Sequence, residues 1–103
     1  MTGNPHAGEV EVVVDGAPRT AKLTLGALAE LEASLGCDTL ADLVARFESG
    51  RVSSRDVLAL LVAGLRGGGW HVTADDLLAA EVAGGPLGAA RAAALLLARA
   101  FGP

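Results

Sequence analysis

Histidine, cysteine and paired carboxylates are the side chains that could carry acid–base, nucleophilic or metal chemistry, and here they are few and scattered. The histidines are His6 and His71, the single cysteine is Cys37, and acids stand close together at Asp75–Asp76 and at Glu30 with Glu32. A hydrolase or transferase needs a nucleophile and a base within hydrogen-bond reach. His6 stands among small polar residues with nothing nearby to fix its ring. His71 follows Trp70 in a loop, where the expectation is a ring packed partly on the helices. One cysteine cannot form an internal disulfide, and a thiolate zinc site would need several further ligands. Asp75 and Asp76 fall at a helix start, where acids complement the macrodipole, and Glu30 and Glu32 fall on a solvated face. Only if His71, Asp75 and Asp76 converged in one pocket would a small enzyme or ligand-binding domain follow. The expectation is a protein that is not an enzyme, with no catalytic residue, no metal and no cofactor.

Two other features invite a binding reading. Arg66-Gly67-Gly68-Gly69 offers backbone amides and a guanidinium, as phosphate sites do. However, no strand precedes it, no Lys-Ser or Lys-Thr follows, and the spacing fits neither phosphate-loop nor dinucleotide fingerprints. A flexible link between helices is the better expectation. Trp70, the only tryptophan, either anchors a partner or covers the local core. Trp70, Leu65, Arg66 and Phe101 are the candidate partner-binding residues.

The elements that would position these residues follow from patterning. In Glu9–Val14, Val10, Val12 and Val14 share one face of a strand, and Val13 breaks the alternation and needs other cover. Asp15-Gly16 signals a type I′ hairpin turn, and Arg19–Leu25 forms the returning strand, with Ala21, Leu23 and Leu25 inward. Pro18 belongs in the turn or on the unpaired side. A first helix runs from Thr24, its cap, to Leu35, burying Leu25, Leu28, Leu31 and Leu35 before a Gly36 stop. Thr39 with Asp42, Ser53 with Asp56, and Thr73 with Asp76 resemble capping boxes that open further helices. These are expected over 40–49, 54–66 and 74–83, the last burying Leu77, Leu78 and Val82. Gly84-Gly85-Pro86 precedes a final helix over 87–101. The fold class is therefore α+β, an N-terminal β-hairpin packed on about five short helices.

A chain of 103 residues, 51% hydrophobic and 19% charged, suits one core. Residues 1–8 read as a flexible arm and 9–102 as a single domain. No unbroken apolar run of about 20 residues is present to span a bilayer, and Met1–Gly8 does not resemble a signal peptide, so a cytoplasmic protein is expected. The net charge of −4, with bases placed singly, argues against direct nucleic-acid binding.

Asn4-Pro5-His6, Glu9-Val10, the stretch Leu23-Thr24-Leu25-Gly26-Ala27-Leu28-Ala29-Glu30-Leu31-Glu32 and the Gly64-Leu65-Arg66-Gly67-Gly68-Gly69 run together resemble a known family. It is the small tail protein of bacterial gene transfer agents, also found in tailed phages and grouped with tail assembly chaperones, and the likeness runs from Asn4 to about Phe101. The resemblance implies a tail protein of a phage-like particle that packages host DNA, and it transfers no active-site residue. It further implies binding to other tail proteins, namely tape measure or tail tube protein, and leaves a homo-oligomer open. The protein would act in the cytoplasm during assembly or sit in the particle. A tube subunit normally contributes long strands to a continuous barrel, and one short hairpin is little for that. A chaperone coating an apolar tape-measure helix needs a helix-binding groove. The expectation is therefore a tail assembly chaperone, with a structural tube or connector subunit as the alternative.

Overall fold

Asp15 and Gly16 both take positive φ, 50° and 78°, as the two central residues of a type I′ turn must. They join β1 (Glu9–Val14) to β2 (Ala17–Lys22) in an antiparallel hairpin with Val14 opposite Ala17 and Glu9 opposite Lys22. The computed structural model describes residues 8–35 and 40–101. Five helices follow: α1 (Leu25–Leu35), α2 (Leu40–Glu48), α3 (Ser54–Gly67), α4 (Ala74–Leu78) and α5 (Gly85–Phe101). The expected α+β architecture, a hairpin and five helices, is the observed one. The expected arm, apart from Gly8, the Gly36 stop, the Thr39 cap, His6 and Cys37 lie outside the described residues.

Val10, Val12, Val14 and Ala21 are buried against the helices. At the centre lies α3, which packs on α1, on α5 and on β2. Leu60, Leu61 and Leu65 of α3 are buried together with Leu31, Leu43 and Leu96. Each such leucine contributes about 1.5–3 kcal/mol relative to exposure, so the core is Leu-based as the composition implies.

Two capping boxes form as patterned. Ser53 Oγ accepts from the Asp56 amide (3.1 Å) and Asp56 Oδ2 from the Ser53 amide (3.0 Å). Thr73 and Asp76 repeat this at α4, at 3.2 and 3.1 Å. Thr24 Oγ1 accepts from the Ala27 amide at 3.1 Å, capping α1. Asp56 is also buried, and Arg46 of α2 pairs with it at 3.2 Å, tying α2 to the start of α3.

Several expectations need correction. Leu25 is 85% exposed rather than buried in the α1 stripe, because the strand ends at Lys22 and the cap at Thr24 turns the first helical residue outward. Helix α4 stops at Leu78 instead of Ala83, and α5 begins at Gly85 instead of Leu87. The cause is tertiary: residues 81–83 leave the helix to pair with β1, Val82 bridging Val14. The Asp15 amide donates to the Glu81 carbonyl (2.7 Å) and the Ala83 amide to the Val13 carbonyl (2.9 Å). Val13, the residue that broke the strand alternation, joins that pairing through its carbonyl and is half-buried.

The glycine run is likewise not a mere flexible link. Gly67 closes α3 and Gly68 caps it, and a Cβ on either would overlap a backbone carbonyl of β2, that of Lys22 or Thr20. At Gly64 a Cβ would come within 2.8 Å of Leu96 Cδ1. These glycines let α3 approach the outer edge of β2 and α5 closely.

Candidate protein-binding groove

The departure of residues 81–83 from α4 leaves an opening. Val57, Leu58 and Leu61 form one wall from α3, and Leu77 and Leu78 form another from the single turn of α4. Val82 and the first residues of α5, Pro86, Ala89 and Ala90, complete a mainly apolar groove of about 980 Å³. Leu78 is 68% exposed there, and Val57, Leu58 and Val82 are half-buried. Both walls are held by capping boxes, since Ser53 starts α3 and Thr73 starts α4. The groove therefore has fixed sides, and no side chain among the described residues fills it.

The expected partner-binding residues lie elsewhere, and none of the four lines the groove. Leu65 is fully buried and belongs to the core, so it offers no surface; its carbonyl accepts from the Trp70 amide at 3.0 Å. The exposed Arg66 pairs with Glu30 of α1 at 3.3 Å. Trp70 is half-buried, and the Arg19 guanidinium lies over its ring, 4.1 Å from the centroid. Its ring packs on the core cluster. Phe101 is 48% exposed at the end of α5.

His71, Asp75 and Asp76 are not among the residues that line the groove. His71 is exposed, and Asp76 is committed to the Thr73 amide. Among the described residues no three His, Cys, Asp or Glu side chains are grouped so as to hold a metal ion. No helix among them is long and apolar enough to cross a membrane.

The family comparison bears on what such a groove could serve. The family described as "Phage tail tube protein, GTA-gp10" matches residues 7–103. The chain belongs to this family. Its match covers the hairpin, all five helices and the groove, so the tail-protein resemblance read from the sequence stands. The family's description names a tail tube protein, which favours a structural tail role over the assembly chaperone expected from strand content. No curated protein and no solved structure matches the chain.

The groove escaped the sequence because all its large side chains read as core. Leu77, Leu78 and Val82 have helical spacing and look like one buried stripe. Only the pairing of Val82 with Val14 breaks that stripe, and it depends on residues far apart in the chain.

Proposed function

We propose that this protein is a structural subunit of the tail of a phage-like particle, in the tube or at a joint of it, that docks neighbouring tail proteins through side chains. The family match over residues 7–103 carries the tail role, and an open apolar groove beside a hairpin whose two edges are both covered carries the docking through side chains. The β2 edge lies under the glycine end of α3, and the β1 edge is held by residues 81–83 and by Arg99 of α5, which donates to the Glu9 carbonyl. Strand addition needs an open row of backbone groups. Side-chain docking does not, and apolar grooves take amphipathic helices. A tail subunit working in this way needs no active site or cofactor.

The same covered edges favour a second reading, in which the protein is a tail assembly chaperone that binds tape measure or tail tube protein before the tube polymerises. A barrel-forming subunit would be expected to keep strand edges for its neighbours, and this one does not. Quantitative mass spectrometry of purified particles, beside pull-downs from assembly intermediates, separates the two. Multiple copies in finished particles support the subunit. Presence only in intermediates, bound to another tail protein, supports the chaperone. Absence from both sinks the tail role altogether.

A further inference from the structure

We propose that copies of this chain join head to tail, the exposed face of α5 in one copy seating in the α3–α4 groove of the next. The inference rests on the reading above that the protein works by side-chain docking, and it names the occupant of the groove.

The charged side chain among the groove's lining residues is an acid, Glu81, and the Asp15 carboxylate accepts from the Glu81 amide at 2.9 Å. Asp75 and Asp76 stand in the first turn of α4, just before the apolar Leu77 and Leu78. Neither Arg51 nor Arg55, the bases nearest the start of α3, lines the groove, and Arg55 donates to the Ser34 carbonyl of α1. An occupant must therefore bring an apolar ridge and, on the α4 side, positive charge.

Helix α5 has that character. Each of the other four helices carries at least one acid, whereas α5 carries Arg91 and Arg99 and none. Its inward face is Ala93, Leu96 and Leu97. Leu87, Arg91, Leu95, Ala98 and Phe101 are exposed, and at about 100° per residue they fall within a single stripe on the outside. Leu87, Leu95 and Phe101 are 61%, 40% and 48% exposed, so three of the five exposed large hydrophobics among the described residues lie on this stripe. A fourth, Leu78, lies in the groove.

A copy cannot satisfy itself. Pro86, Ala89 and Ala90 of α5 are already part of the groove wall, which leaves its outer stripe facing away. Because groove and stripe are different surfaces, the contact is heterologous, and its repetition closes a ring or continues as a helical array.

The test uses sedimentation equilibrium of the full chain over a range of concentrations. The wild type should self-associate. Leu78→Asp in the groove and Leu95→Asp on the stripe should each weaken association by roughly thirtyfold or more. Both positions are exposed, and an unchanged circular dichroism spectrum checks the fold. Mixed in equal amounts, the two variants should form a 1:1 heterodimer, because the Leu78→Asp chain keeps its stripe and the Leu95→Asp chain keeps its groove. A wild type that stays monomeric overturns the proposal, as does association indifferent to both substitutions. So does a mixture of folded variants that stays monomeric, the result expected of a face-to-face contact. If the monomeric wild type nevertheless enters purified particles and Leu78→Asp does not, another tail protein fills the groove. The head-to-tail contact then fails while the tail-subunit reading survives.

Discussion

The two edges of the hairpin are closed in opposite ways. Along β2, the end of α3 comes so close that Gly67 and Gly68 leave no room for a side chain above the Lys22 and Thr20 carbonyls. Along β1, cover comes from a brief strand-like crossing at 81–83, the Asp15 carboxylate on the Glu81 amide, and Arg99 on the Glu9 carbonyl. The first closure is close packing and the second is a small set of polar contacts. Each protects an edge from strand addition, but they leave different surfaces behind. The glycine closure brings the backbone of α3 against that of β2, whereas the crossing draws residues 81–83 out of α4 and opens the groove beside Leu78. A protein that blocks its strand edges in this second way gains a docking surface for side chains.

The largest expected effect tests the tight closure. Gly68→Val should destabilise the protein by about 3 kcal/mol or more, since the backbone of β2 cannot yield as a flexible side chain can. Gly64→Ala, which meets only the Leu96 side chain, should cost less, and urea denaturation of both variants ranks them. An equal, small effect at Gly68 would mean the α3–β2 closure is not tight. At the other end of α3, Asp56→Ala removes a capping acceptor and the partner of Arg46, with an expected loss of about 2 kcal/mol in the same assay. On the polar closure, Asp15→Ala should cost about 1 kcal/mol, because Asp tolerates the positive φ better than Ala and its carboxylate holds the Glu81 amide. Hydrogen exchange at the Ala83 amide should then accelerate more than at amides within the β1–β2 ladder. Uniform acceleration would show that the two closures are not separate.

The elements whose signals are local were legible in the sequence. Asp15-Gly16 formed its turn, Ser53 with Asp56 and Thr73 with Asp76 formed their capping boxes, and Val10, Val12 and Val14 chose the buried face. What failed depended on distant partners. Gly67 and Gly68 have the composition of a loose connector, and only the nearness of β2 makes them a packing surface. The residues from Ala79 to Val82 continue a helical pattern, and only the vacant edge of β1 draws them out of it. Leu65 and Arg66 adjoin the glycine run, and the helical spacing that puts Leu65 with Val57, Leu58 and Leu61 on the buried stripe of α3 is legible in the sequence. Leu65 is accordingly in the core, and the pairing of Arg66 with Glu30 depends on the approach of α1. The groove was illegible for the same reason: each of its leucines is a good core residue, and exposure is a property of the assembled fold.

The smallest expected effect concerns Arg19 and Trp70, which lie on the tightly closed side. Arg19 stands opposite Val12 on the inward face of β2, but at the rim of the core, and its guanidinium covers the Trp70 ring. Such a contact contributes about 0.5–1 kcal/mol at an exposed site. Arg19→Ala should therefore lower stability by about 0.5 kcal/mol and shift tryptophan emission to the red as water reaches the ring. Arg19→Lys should restore part of both. Because this contact belongs to the β2 side, exchange at the Ala83 amide should not change. If it does, loosening one edge of the hairpin loosens the other, and the groove beside Leu78 is not mechanically independent of the glycine closure.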